Sequence, residues 1–190
     1  AANLEGVYYR PRVDEELLAE HAEGLICLSA CISGQVPSLL AEGQLAKARQ
    51  AIGWFKEVFG ADNYYLELQR HQGVPGLEQV NRQLVSLAKE FGLRCVATND
   101  VHYVHKEEAS AQDLLLAIQS NATISDPDRM QMGSADYFMT TAEEMGRLFP
   151  EYPEALENTL DIAERCNVDI GFTGYHLPRF DVPEGCTAQS

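Results

Sequence analysis

Between residues 25 and 98, short apolar runs alternate with stretches of helical periodicity. The short runs are bounded by turn-forming residues, which predicts strands, and the longer stretches repeat apolar residues at steps of three and four, which predicts helices with one buried face. Strand, helix and strand joined by short connections imply parallel strands with right-handed crossovers, so the predicted fold class is α/β. The strands are predicted at residues 25–29, 64–68 and 93–98, and the helices at residues 44–59 and 80–91.

Beyond residue 100 the pattern becomes mainly helical. Residues 121–134 are polar and predict an exposed loop, and the prolines and glycines of residues 171–190 predict a linker. The helical predictions rest on a face shared by Leu114, Leu115 and Ile118, on a possible capping box from Thr141 to Glu144, and on Pro153 as a first helical residue.

The chain carries a formal net charge of −15, from 29 acidic and 14 basic side chains. An acidic excess of this size repels a phosphate backbone, so any contact with DNA must be local or made by another part of a larger protein. With 190 residues, of which 45% are hydrophobic, the chain can bury a substantial core. No apolar run approaches the roughly 20 residues that span a bilayer, so no membrane partner is expected.

The five cysteines are scattered and contain no C-x-x-C pair. This distribution argues against a disulfide framework and against a zinc ribbon, and it favours a reducing, cytoplasmic location. The chain does not begin with methionine, so we expect a fragment of a longer protein, although a processed chain would look the same.

Asp100 and His102 follow the strand predicted at residues 93–98. On a strand, side chains two residues apart point to the same side, with Cα atoms about 6.5 to 7 Å apart, so this carboxylate and this imidazole could share one metal ion. The alternative is a capping aspartate beside a histidine that bonds to backbone. Cys31 by itself could be a small buried hydrophobic residue as well as a metal ligand. His71 is predicted to lie at the surface or behind the ligands.

Five segments spread over nearly the whole chain carry a family resemblance: residues 24–34, 64–71, 96–103, 153–168 and 175–180. In sequence and in order they resemble the polymerase and histidinol phosphatase (PHP) domain of bacterial DNA polymerase III alpha subunits. The resemblance implies a distorted β/α barrel with metal ions at the carboxyl ends of its strands. Residues 1–172 would be the C-terminal part of that barrel with a helical extension, and residues 173–190 a linker toward the palm region of the polymerase.

The same resemblance implies three metal ligands in this chain, namely Cys31, Asp100 and His102, for Zn or Mn. It identifies no catalytic or substrate-binding residue here. The family's H-x-H pair has no counterpart, because no histidine of the chain is followed by another two residues later. That pair is expected upstream of Ala1, and the Mg-dependent polymerase site downstream of Ser190. The segment alone is therefore predicted to be inactive.

Three functions follow from the resemblance and stay open at this point. In the first, the parent DNA-directed DNA polymerase uses the metal site as a 3′–5′ proofreading exonuclease. In the second, the PHP module buttresses the polymerase and docks a separate proofreading subunit, with the metals only stabilising the fold. The third is a stand-alone PHP-type metal-dependent phosphoesterase. The expected partners are DNA, through the parent protein, and other replicase subunits such as the sliding clamp and the proofreading subunit.

Overall fold

The computed structural model describes residues 7–169 and, outside that span, residues 3, 171 and 174. A parallel sheet and the helices packed on it organise this part of the chain. In chain order the strands are β1 (Val7–Tyr8), β2 (Arg10–Pro11), β3 (Cys27–Leu28), β4 (Tyr64–Gln69) and β5 (Arg94–Thr98). The helices are α1 (Glu15–Glu20), α2 (Gln35–Ala41), α3 (Leu45–Phe59), α4 (Leu77–Phe91), α5 (Ala109–Gln119), α6 (Ala142–Leu148) and α7 (Pro153–Arg165), with a short 3₁₀ helix at Lys106–Glu108.

The parallel sheet has the order β3-β4-β5, and β1 and β2 form a separate small antiparallel hairpin. Leu28 pairs with Tyr65, and Gln69 pairs with Thr98. The predicted strands, their parallel direction and the α/β class are confirmed. Within the described residues the sheet stops at three parallel strands and does not close, so the barrel stays a prediction.

The central strand β4 separates an apolar face from a polar one. Tyr64, Leu66 and Leu68 alternate along it and enter the main core, where residues of α2, α3 and α4 pack against them. Glu67 and Gln69 lie on the other face, because successive side chains of a strand point to opposite sides. Both predicted helices of the 25–98 region are confirmed, and each buries most of the stripe that its periodicity indicated; Leu45, at the start of α3, is exposed.

The connection from α4 to β5 takes only two residues. Gly92 ends the helix with φ +63, a left-handed conformation that glycine adopts without a steric penalty, and its N–H bonds to the carbonyl oxygen of Ala88. The chain therefore turns back at once and enters β5 beside β4.

Helix α7 packs against β5 through polar as well as apolar contacts. Asn158 Nδ2 donates to the carbonyl oxygen of Cys95 at 2.8 Å. Asp161 accepts hydrogen bonds from the hydroxyl of Tyr65 at 2.9 Å and from Arg94 at 2.8 Å. The helix begins at Pro153, as predicted, and its contacts fix the position of β5.

Two further sequence predictions have mixed outcomes. The capping box is present, since Thr141 and Glu144 exchange side-chain-to-backbone hydrogen bonds at the start of α6. The face of α5 formed by Leu114, Leu115 and Ile118 points outward, with exposures of 50%, 58% and 66%. We refer to these three side chains as the outer face of α5.

The loop at residues 121–134 is mostly exposed, as predicted. The linker predicted at residues 173–190 lies outside the described residues except for Gly174. No helix among the described residues is both long enough and apolar enough to cross a bilayer.

Candidate metal centre

The predicted ligands Asp100 and His102 lie just beyond the carboxyl end of β5. The strand ends at Thr98, and Asp100 has φ +45, so the backbone turns instead of extending as the spacing argument assumed. The two side chains still face each other, with His102 Nδ1 at 3.9 Å from Asp100 Oδ1. Aspartate tolerates a left-handed backbone better than most residues, yet such a conformation persists only where the surroundings hold it.

A backbone hydrogen bond determines which nitrogen of His102 is free. Nδ1 lies 2.7 Å from the carbonyl oxygen of Asp100. Because a carbonyl oxygen can only accept, Nδ1 carries the hydrogen, and in the neutral imidazole Nε2 is the nitrogen with the lone pair. Metal-binding histidines usually show this arrangement, in which the non-ligating N–H donates to a carbonyl or a carboxylate.

The segment at residues 136–138 holds the turn after β5 in place. Asn99 is buried and its Nδ2 donates to the carbonyl oxygens of Asp136 and Phe138, both at 2.8 Å. The backbone N–H of His102 donates to the carbonyl oxygen of Tyr137 at 2.8 Å. The loop after β4 is tied to the same segment, since the N–H of Gln72 donates to Asp136 Oδ2 at 3.1 Å.

Tyr137 is the aromatic centre of this region. Its ring stacks on His71 with centroids 4.1 Å apart and an interplanar angle of 16°, and it meets His102 edge-on at 5.5 Å. Burial raises the pKa of Tyr137, and the charges of Asp100 and Cys31 add to that shift. Of the three predicted ligands, His102 contacts the Tyr137 ring, and Asp100 and Cys31 act on it through their charges.

Cys31 sits in a tight loop after β3. Ala30 has φ +65, and a Cβ on Gly34 would come within 2.4 Å of the carbonyl oxygen of Ser29, so only glycine fits there. The Cys31 side chain is partly buried. The loop thus presents a thiol at the carboxyl end of the strand on the far side of β4.

The described residues do not by themselves complete a metal site. No three histidine, cysteine, aspartate or glutamate side chains within this part of the chain lie close enough together to hold one ion. The donors present nevertheless suit Zn or Mn, because Asp100 offers a carboxylate and His102 a free Nε2. Both ring nitrogens of His71 are also buried, and no described group bonds to them. These residues fit part of a ligand set, and metal binding stays a prediction.

Sequence reasoning missed the residues that build the walls of the site. Tyr137 and Asp136 belong to a stretch for which no role was predicted, and no role was predicted for Asn99 either. The available signals were weak: a polar residue directly after an apolar strand, and an aromatic residue after a polar loop. His71, predicted at the surface or behind the ligands, is partly buried and stacks on Tyr137.

A cavity of about 520 Å³ opens beside segment 136–138, between the strand ends and α6. Arg70, one of its basic residues, already bonds to Glu78 and Glu151. Arg147, another, pairs with Glu143. Lys106 also lines the cavity; its Nζ lies 5.8 Å from the centre of the Phe138 ring, and it forms no salt bridge within the described part of the chain.

Comparison with known proteins assigns the class of domain first. Residues 1–71 match the family model described as the PHP domain. The match includes Cys31 and ends before Asp100 and His102. The first 71 residues are therefore similar to a PHP domain.

The full-length comparisons are more specific. The chain is 46% identical to DNA polymerase III subunit alpha of Treponema pallidum over 182 residues, which is 96% of this chain and 16% of that protein. It is also 46% identical to the Borreliella burgdorferi subunit over 181 residues (95% and 16%) and 42% identical to the Thermus aquaticus subunit over 192 residues (98% and 16%). The chain belongs to the DNA polymerase III subunit alpha family and spans about one sixth of the length of these curated relatives.

Proposed function

We propose that this chain is a segment of a replicative DNA-directed DNA polymerase acting in the bacterial cytoplasm. In this proposal Cys31, Asp100 and His102 are its share of a PHP metal site that supports 3′–5′ exonuclease proofreading. The observation that carries the proposal is the bond from His102 Nδ1 to the Asp100 carbonyl oxygen, which occupies Nδ1 and leaves Nε2 as the ring nitrogen available to a metal. Nucleotidyl transfer, which depends on Mg, belongs to other parts of the polymerase.

The residues of this segment have distinct tasks. Asp100 and His102 Nε2 would hold a divalent metal, and Cys31 would contribute a thiolate from the neighbouring loop. Such a metal, when bound, lowers the pKa of water and neutralises phosphate oxygens. Asn99 and segment 136–138 keep the two donors oriented before any metal arrives, since they hold the backbone turn. The Tyr137 ring packs edge-on against the His102 ring and so limits its movement.

A structural role is the second candidate, and one observation favours it. The described residues bring no three donors together, so the donors visible here need not form a working centre. In this role the module buttresses the polymerase and docks a separate proofreading subunit or the sliding clamp. A stand-alone phosphoesterase is the weakest reading, because the similarity to polymerase subunits extends over 96% of the chain.

The two roles are separated by Asp100→Ala in the full-length parent protein. Bound metal and 3′–5′ degradation of a mismatched primer are measured for this variant, for wild type and for Asp128→Ala. Asp128 lies in the exposed loop at residues 121–134 and is a matched control. For the exonuclease we expect Asp100→Ala to lose metal and to degrade the primer at least about a hundredfold more slowly. Replacing residues that only hydrogen-bond to a metal ligand already lowers metal affinity or activity about 10- to 100-fold, and Asp100 would be a ligand itself.

Each other outcome has a defined meaning. Loss of metal with unchanged degradation supports the structural role. Unchanged metal content and unchanged degradation refute the metal site itself. The 190-residue segment alone should release no nucleotide from the same primer in the presence of Zn or Mn.

A further inference from the structure

His71 and Asp100 lie in the loops that follow two adjacent strands. Gln69 and Thr98 are register partners at the carboxyl ends of β4 and β5. His71 lies two residues beyond Gln69, and Asp100 lies two residues beyond Thr98. Neighbouring strands are about 4.8 Å apart, so the two loops start from neighbouring points at one edge of the sheet, and the backbone of the second loop turns at Asp100.

The ring of His71 is held in place by its stacking on Tyr137. The backbone of Tyr137 is itself fixed, because its carbonyl oxygen accepts from the N–H of His102 and its flanking carbonyls accept from Asn99. A chain of contacts therefore connects His71 to the turn that carries Asp100. The imidazole cannot leave this position without breaking that stack.

Both groups have hydrogen-bonding capacity that the protein does not use. The two ring nitrogens of His71 are buried and no partner is found for them among the described residues. Within the same part of the chain, no donor lies within hydrogen-bonding distance of the Asp100 carboxylate, whose ion-pair contact is with His102 Nδ1 at 3.9 Å. The Asp100 side chain is 32% exposed, so water can reach its carboxylate. Buried polar groups in native proteins are nearly always bonded, so the unbonded ring nitrogens of His71 call for an explanation.

The surrounding charges favour Asp100 over its neighbour as the partner. After burial, which lowers the pKa of His71, the Asp100 carboxylate is the strongest opposing influence, and Asp136 comes next. Asp136 Oδ2 already accepts from the N–H of Gln72. Asp100 is thus the carboxylate with both proximity and free acceptor sites.

We propose that His71 is a positioning residue of the metal site: one ring nitrogen donates to a bridging water that in turn donates to the Asp100 carboxylate, and this link orients the carboxylate toward the metal. This inference rests on the proposed metal site. Hydrogen-bonded partners of this kind commonly fix the direction of ligating carboxylates, and losing one costs about 10- to 100-fold in metal affinity. A water that bridges two polar groups too far apart for a direct hydrogen bond is enthalpically nearly as good as that bond.

The test uses the full-length parent protein with Co²⁺ as the probe, because its visible absorption bands respond to ligand geometry. His71→Phe keeps a ring for the stack on Tyr137 and removes both nitrogens, whereas His71→Gln keeps a hydrogen-bonding amide. His21→Phe is the matched control at an exposed position. Thermal unfolding of the metal-free proteins is measured alongside.

We expect His71→Phe to bind Co²⁺ about 10- to 100-fold more weakly with a shifted spectrum and an unchanged unfolding midpoint, and His71→Gln to recover part of the affinity. Wild-type affinity and spectrum in His71→Phe overturn the proposal, as does an equal loss in both His71 variants. If His71→Phe does not fold, His71→Leu takes its place, since it also removes both nitrogens: weaker Co²⁺ binding with a shifted spectrum supports the proposal, and wild-type affinity and spectrum overturn it.

Asp100→Ala separates this proposal from the metal site on which it rests. If wild type binds Co²⁺ and Asp100→Ala does not, the metal site stands and His71 is judged by its own variants. If wild type and Asp100→Ala bind Co²⁺ equally, the metal site and the role of His71 both fail.

Discussion

Replacing Asn99 by alanine should loosen the turn that carries both predicted ligands. The side chain is only 6% exposed, and its Nδ2 makes two hydrogen bonds of 2.8 Å to backbone carbonyls of segment 136–138. Each buried hydrogen bond contributes about 1 kcal/mol net, so Asn99→Ala should cost about 2 kcal/mol. With a urea m-value of about 2 kcal/mol/M, the unfolding midpoint should fall by about 1 M.

Asn81→Ala is the matched control for this prediction. Asn81 is 1% exposed, and its Nδ2 makes a single hydrogen bond of 2.8 Å, to the carbonyl oxygen of Gln69. It also lies inside α4, where alanine is the better helix former, so its replacement should cost less. Urea unfolding of the 190-residue chain gives both values, and hydrogen exchange at the amide of His102 reports the turn directly. The reasoning is refuted if Asn99→Ala costs no more than Asn81→Ala and leaves that amide equally protected.

Two further predictions concern backbone fit and acid sensitivity. Gly34→Ala should lower the unfolding temperature, because its Cβ would lie 2.4 Å from the carbonyl oxygen of Ser29, whereas Gly146→Ala, with open space around it inside α6, should gain about 0.5 to 1 kcal/mol. Equal shifts for both would contradict the clash. Two hydrogen bonds from Arg129 hold the pKa of Asp113 below its usual range, so their stabilisation is present at neutral pH and is lost as the pH falls through that lowered pKa. Asp113→Asn should therefore be less stable than wild type at pH 7, with the difference shrinking in acid; a constant difference in urea unfolding across pH would argue against it.

The sequence predicted the strand and helix repeat well because its periodicities are strong. The helix predicted at residues 44–59 is Leu45–Phe59, and the strand predicted at residues 64–68 is Tyr64–Gln69. The helix at Gln35–Ala41 was not predicted, since it is short and contains Pro37. The sequence could not predict that the outer face of α5 is exposed, because periodicity identifies an apolar face but does not show which residues pack against it.

The candidate site was predictable only in part. Asp100 and His102 were found because they are close in sequence and follow a recognisable strand. Tyr137 contacts His71 and His102 across separations of 66 and 35 residues, and no local pattern encodes such a contact. The left-handed backbone of Asp100 could not be read from its neighbours either, because it depends on the hydrogen bonds of Asn99 to a distant segment.

The anchoring of the β5 turn by segment 136–138 sets a limit on how this protein can be trimmed. A shortened version that stops after β5, or anywhere before residue 138, would keep Asp100 and His102 in the sequence and remove the carbonyl groups that hold them. The mostly exposed stretch from residue 121 to residue 128 can accept tags or insertions. Segment 136–138 cannot, because its hydrogen bonds hold the loops that follow β4 and β5.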